Sequence, residues 1–227
     1  MRISRSLLDP WLTLPVKSLY RWLPIPRSFP PEGIVITGHL LAILGAVGFA
    51  YSTTRWWGGV LAALGVAGNH LADCLDGTHA RATGQCRNGG ELLDHFFDPL
   101  SFSYWLAGLA VSCGRLDLGL VAVTGLFATA ILTNIKAKMI GEFTLARFGP
   151  TEFKTLLAGY GLLLSALPLT GGVPDTVPVA MVFFSALIVF GLAQLFVQLV
   201  LSVRQVNEQG APPDTTEWVT TKSSGKK

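Results

Sequence analysis

Charge is what this chain has least of. Only 14% of its 227 residues are Asp, Glu, Lys or Arg, against roughly 25% in an average soluble protein. Half of the residues are hydrophobic and the mean hydropathy is +0.49, which excludes an ordinary soluble domain. Cysteine is scarce as well. Cys74, Cys86 and Cys113 stand in no C-x-x-C spacing, so there is no zinc-site signature. Cys74 and Cys113 are expected to pack as small apolar groups. The net charge is only +3, and no soluble basic region exists to carry it, which argues against a nucleic-acid partner. No internal repeat and no second domain is visible.

What is present is a series of long apolar runs. A membrane-crossing helix needs about 20 mostly apolar residues. Runs near that length occupy 34–52, 56–75, 92–113, 118–135, 153–169 and 177–203. The expectation is an all-α integral membrane protein with six transmembrane helices, the fifth short and ending at Pro168. Frequent Gly and Ala within the runs suit close helix contact in lipid. Residues 1–33 differ. Leu7, Leu8, Trp11, Leu12, Leu14, Leu19, Tyr20 and Trp22 supply an apolar side, and Lys17, Arg21 and Arg27 a basic one. That is the make-up of an N-terminal amphipathic segment lying in the membrane interface; an unstructured leader is the bland alternative. Pro10 and Pro15 interrupt any apolar core that could follow Arg2 and Arg5 as a cleaved signal. Residues 34–204 are expected to form the membrane domain, and 205–227 a polar, disordered cytoplasmic tail.

The distribution of basic residues gives an orientation. With the sides alternating along six spans, all of the 17 Lys and Arg residues except Arg55 and Arg115 fall on one side. That side is expected to be the cytoplasm, where basic residues also attract anionic membrane lipids.

The acidic residues that matter cluster between the second and third runs, in HLADCLDGTHARATGQCRNGGELLDHFFDPL (70–100). Asp73 and Asp76 are three apart and share a helix face; Asp94 and Asp98 are four apart and share another. Gly84, Gly89 and Gly90 let the chain turn back between them. An antiparallel pair would bring four carboxylates to one pocket at the cytoplasmic boundary. Carboxylates so close repel unless cations neutralise them, and oxygen-only donors favour a hard ion, Mg²⁺ or Mn²⁺, with two ions expected as in other phosphoryl-transfer sites. A solvated acidic loop fits poorly, because Asp94 and Asp98 sit among Leu92, Leu93, Phe96, Phe97 and Leu100, and acids at membrane depth are costly. Arg81 is suited to grip a phosphate oxygen bidentately, or else to pair with a neighbouring Asp. Gly77 would admit a substrate close to the backbone, or simply allow helix packing. His95 could relay a proton, although on a helix it points about 100° away from Asp94. His39, Asn69 and His70 lie in or near spans, where interhelical hydrogen bonds are their commoner use.

The segment fits D-x-x-D-G-x-x-A-R-x(8)-G-x-x-x-D-x-x-x-D at Asp73, Asp76, Gly77, Ala80, Arg81, Gly90, Asp94 and Asp98. In this it resembles the CDP-alcohol phosphotransferase family, and with the six-helix plan the resemblance covers roughly 7–204. It implies metal-dependent transfer of a substituted phosphate from a CDP-linked donor to an alcohol, with release of CMP, in phospholipid biosynthesis. Carried over by position, Asp73 and Asp94 would touch both metals, Asp76 the first and Asp98 the second. Asp98 would also be the general base, and Gly77 and Arg81 would hold the donor's nucleotide phosphates. A homodimer is a further implication.

Two branches of that family compete. D-G-T-H-A-R-A-T-G and G-E-L-L-D-H, through Thr83, Gly84, Glu91, Leu92 and His95, look like the branch that transfers an aminoalcohol phosphate to diacylglycerol, as does FGPTEF at 148–153. Eukaryotic members of that branch are much longer. The basic set Lys136, Lys138, Arg147 and Lys154 could instead bind an acceptor phosphate, as in the branch that uses CDP-diacylglycerol, or could reflect the positive-inside bias alone. The first run lacks the family's usual Pro-Asn, reading IVIT at 34–37, and Arg87 stands where a small hydroxyl residue is common in the second branch. A reading of another class, a non-catalytic or cation-transporting membrane protein, would need polar groups across the membrane; only His39, Gln194 and Gln198 offer them.

Overall fold

The computed structural model describes residues 2–3, 6–144, 148–170, 175–213 and 215. Arg5, Arg147 and the tail from 216 onward lie outside the described residues. The chain is almost entirely helical: α1 (Thr13–Leu19), α2 (Pro31–Tyr51), α3 (Trp56–Thr83), α4 (Asn88–Ser112), α5 (Leu116–Ile140), α6 (Pro150–Ala166) and α7 (Val177–Gln209). A short parallel pairing joins Arg2–Ile3 to Phe143–Thr144. α7 continues through Gln209, so residues 205–209, expected to open a disordered tail, are helical instead; nothing in that stretch is Gly or Pro to stop the helix.

Six helices of 17 to 33 residues form the body of the protein. Three of them, α2, α5 and α7, are long and apolar enough to cross a membrane by length and composition. The other three carry the polar residues of the cluster, which lowers their hydropathy, and α6 has only 17 residues.

Small residues set how close the helices come. α3 packs against α2 on one side and α6 on another, α4 against α2 and α5, and α5 against α7. A Cβ on Gly65 would run into the backbone of Gly45 across the α2–α3 contact, and one on Gly59 into the carbonyl oxygen of Gly161 across the α3–α6 contact. Where lipid supplies no hydrophobic drive, such backbone-to-backbone approach is the main source of association energy. The core centres on Phe49, Trp105, Leu109, Leu157, Leu164 and Phe184, all fully buried. Trp105 satisfies its indole N–H by donating to the Ala42 carbonyl at 2.9 Å, binding α4 to α2.

The turn between α3 and α4 is made by Gly84, whose φ of 74° lies in the left-handed region and lets its N–H close on Ala80. That reversal brings the end of α3 alongside the start of α4. Residues 6–29 then cross the same end of the bundle. Glu152, in the first turn of α6, accepts from Ser6 Oγ (2.6 Å) and from the amides of Leu7 (2.8 Å) and Leu8 (3.2 Å). Further along, Tyr20 Oη meets His79 Nδ1 at 2.8 Å, while His79 Nε2 lies 2.8 Å from the Phe29 carbonyl. A carbonyl only accepts, so Nε2 carries the proton and Tyr20 donates to Nδ1.

Candidate active site

The carboxylates line a cavity of about 590 Å³, with Asp73, Asp76, Gly77, Arg81, Asp94 and Asp98 among its lining residues. Asp73 and Asp76 come from α3, Asp94 and Asp98 from α4. One oxygen each from Asp73, Asp76 and Asp94 fall within 4.8 Å of one another, close enough to share an ion. Asp98 lines a smaller chamber of about 20 Å³ with the same three residues and with His39, Asn69 and Ser101. The donor set is oxygen only, which fits a hard divalent cation rather than zinc.

Gly77 and Arg81 lie together. The Arg81 guanidinium folds back over Gly77 so closely that a Cβ there would stand 3.3 Å from Nη1. Arg81 forms no ion pair with any described carboxylate, so pairing with a neighbouring Asp is not its use in this structure. Its planar fork faces the cavity beside the acids, in the manner needed for phosphate. Asp76 accepts from the Gly77 amide, which fixes the carboxylate against the helix.

The other candidates separate. His95 lines the cavity, packs against Phe143 with ring centroids 4.8 Å apart and the planes tilted by 46°, and lies 3.8 Å from Glu91. His39 and Asn69 make the interhelical bonds expected of them, to Ser101 (3.1 Å) and to the Gly38 carbonyl (3.1 Å). Lys136 lines the cavity and donates to Gln205 at 3.0 Å; Lys138 is not among the lining residues.

One residue at the heart of the site was hidden in the sequence. Lys154, counted above with a basic run, is 2% exposed. Its ammonium lies 2.7 Å from Asp73 Oδ2 and 3.4 Å from Asp98 Oδ1. The available signal was its setting: the one Lys of α6, followed by a largely apolar stretch to Ala166, where an unpaired charge is costly. Pro99 is a second such feature. It sits inside α4 directly after Asp98 and has no N–H to offer the carbonyl of His95 one turn back.

The wall between the acids and the far end of the cavity changes character. Val121, Leu126, Leu187 and Ile188 make it apolar along one part of α5 and α7, whereas Thr133, Asn134, Gln194, Gln198 and Ser202 make it polar nearer their C-terminal ends. An amphiphile with a polar head beside the acids and a tail toward the apolar side fits that gradient.

Comparison with known proteins agrees with this geometry. Residues 34–204 match the family model described as CDP-alcohol phosphatidyltransferase. Among curated proteins, cholinephosphotransferase 1 of Bos taurus is 33% identical over 113 residues, 47% of this chain and 27% of that protein. Its Homo sapiens counterpart is 31% identical over the same length, again covering 27% of that protein. Archaetidylinositol phosphate synthase of Pyrococcus horikoshii is 31% identical over 117 residues, 51% of this chain and 59% of that protein. The chain thus aligns with about a quarter of the length of the cholinephosphotransferases it matches. The family match runs unbroken from the start of α2 to within one turn or so of the end of α7, through every residue of the carboxylate cluster, and on that ground the chain belongs to the CDP-alcohol phosphatidyltransferase family.

Proposed function

We propose that this protein is a multi-pass membrane transferase that moves a substituted phosphate from a CDP-linked donor to an alcohol. The observation that carries the proposal is the convergence of Asp73, Asp76 and Asp94 within 4.8 Å beside Arg81, which pairs with no described carboxylate, in a cavity with polar and apolar lining. In the reaction, the acceptor hydroxyl oxygen bonds to the donor phosphorus adjoining the alcohol. The bond from that phosphorus to the CMP oxygen breaks, and CMP leaves. Asp98 takes the hydroxyl proton as general base. Gly77 admits the nucleotide phosphates close to α3, and Arg81 holds their oxygens as charge moves onto CMP. Mg²⁺ or Mn²⁺ on the carboxylates would supply charge neutralisation at the pyrophosphate.

All six long helices span the membrane in this reading, residues 1–33 lie at its cytoplasmic surface, and the site opens to the cytoplasm. The exposed Trp11, Leu14 and Trp22 beside Lys17 and Arg21 support the interfacial placement. Family resemblance extends the proposal to a homodimer. Residues 34–204 form the catalytic domain, and the chain beyond α7 is a polar tail.

The aminoalcohol branch is the favoured substrate class, with CDP-choline or CDP-ethanolamine as donor and diacylglycerol as acceptor. It rests on the D-G-T-H-A-R-A-T-G and G-E-L-L-D-H elements and on the similarity to cholinephosphotransferases. The second branch has its own support. Lys136, Asn134, Gln194 and Gln198 form a hydrogen-bonding wall suited to a phosphorylated polyol, and a relative named for an inositol phosphate lipid is 31% identical. CMP release by purified protein with Mg²⁺ or Mn²⁺ decides between them, with CDP-choline or CDP-ethanolamine plus diacylglycerol in one arm and CDP-diacylglycerol plus polyol phosphates in the other. Release in neither arm, from folded and metal-supplied protein, overturns the proposal.

A further inference from the structure

The segment ahead of α2 is clamped at both ends and lines the cavity between them. At one end Ser6 and the amides of Leu7 and Leu8 bond to Glu152 on α6, and Thr151 donates to Asp9 at 2.5 Å. At the other, Tyr20 and the Phe29 carbonyl hold His79 on α3. The backbone between the clamps is wound helically, with the amides of Leu12, Thr13 and Val16 bonded to Leu8, Asp9 and Leu12. Residues four apart on such a winding share a face, and Asp9, Thr13 and Lys17 all line the cavity. Trp11 and Leu14 lie on the other side, 78% and 60% exposed. An interfacial helix ordinarily turns its basic residues to water and lipid headgroups. Arg21 does so here, exposed and 5.5 Å from the Trp22 ring. Lys17 is turned inward and half-buried.

Asp9, the carboxylate on the same face, accepts from Thr13 and Thr151, while Lys17 pairs with no described carboxylate. Its place therefore follows from the register of α1 and not from the state of the acidic cluster. It faces a part of α3 where its charge acts on His70 and Cys74. Arg81 lies about 10 Å further along that helix from Cys74, with Asp76 and Gly77 between them. The two cations thus approach the acids from opposite ends. We infer that Lys17 is a phosphate ligand of the active site: its ammonium binds the donor phosphate that passes to the acceptor, while Arg81 holds the phosphate that leaves with CMP. The inference deepens the reaction proposed above and rests on it. The interfacial segment is then a wall of the substrate site as well as a membrane anchor.

Equilibrium dialysis of labelled CDP and CMP against the full chain, in detergent with Mn²⁺, tests it. CDP carries the second phosphate and CMP does not. Lys17→Met, which keeps the apolar stem, and Lys17→Gln should each weaken CDP binding about tenfold or more, as for a lost hydrogen bond between charged groups. Both should leave CMP affinity within about twofold, since the contact to the second phosphate is the one removed. Lys17→Arg should retain most of the CDP affinity, and Arg21→Met, on the outer side, should change neither nucleotide. Unchanged CDP affinity in the neutral variants, or CDP and CMP weakened alike, would overturn the inference. Unchanged CDP affinity with loss of bound phosphatidylglycerol in native mass spectra would give Lys17 to a lipid headgroup instead, and sink it equally. Should one neutral variant fail to fold, the other decides. In each of these outcomes metal-dependent CDP binding by the wild type leaves the proposed reaction standing. Its absence in the wild type would remove both.

Discussion

The long helices of this protein divide into two trios. α2, α5 and α7 each contain a stretch long and apolar enough to be recognised as a membrane helix from composition alone. α3, α4 and α6 hold every carboxylate of the cluster and the buried Lys154, and none of them meets the same length and hydropathy standard. Two of the apolar trio turn outward: Leu120 on α5 and Val182 on α7 are both 71% exposed, while α2 packs against α3 and α4. The polar trio packs inward, with Gly59 against Gly161 and Asp73 against Lys154. Charge inside lipid is affordable only where protein surrounds it. The helices least like membrane spans are therefore the ones nearest the chemistry.

Four substitutions would break or sharpen that contrast. Asp94→Asn removes a charge from the group that would hold the ion, and should lower CMP release by on the order of 10³-fold and abolish Mn²⁺ uptake. Arg81→Lys keeps the charge but loses the planar fork, and should reduce kcat/KM for the CDP donor roughly 10- to 100-fold, as expected for a lost hydrogen bond to a charged group, with the thermal midpoint unchanged. Gly59→Val forces a side chain into the Gly161 carbonyl. It should destabilise the fold by about 1–3 kcal/mol, read as a lower thermal midpoint in detergent. Leu120→Ala, on the outer face of the apolar trio, should stay within about 0.5 kcal/mol and leave activity unchanged. An outer substitution as damaging as the inner ones would dissolve the division between the trios.

Legibility in the sequence followed the same division. Period and length were enough for the apolar trio. The carboxylates were legible for a different reason: spacings of three and four on consecutive helices fix a common face, and Gly84, Gly89 and Gly90 mark the turn that joins them. The convergence of Asp73, Asp76 and Asp94 follows from such local rules. Lys154 does not, because it reaches Asp73 from 81 positions away, and no local pattern encodes which helix lies opposite. The same holds for His79. Both of its ring nitrogens are used by Tyr20 and Phe29 on the segment that crosses the bundle, 59 and 50 positions away.

The bond from Ser6 to Glu152 joins residues 146 positions apart. During synthesis the leading segment emerges first, but its partner on α6 follows only after four long helices have been made. Contacts between such distant residues carry a loop-closure cost that is repaid late. The first residues of the chain must therefore wait, and the rim to which Ser6 and Asp9 contribute is among the last parts of the protein to assemble. A ribosome-bound chain halted before Glu152 would carry both acidic helices, yet would lack Lys154 and the anchored rim of the site.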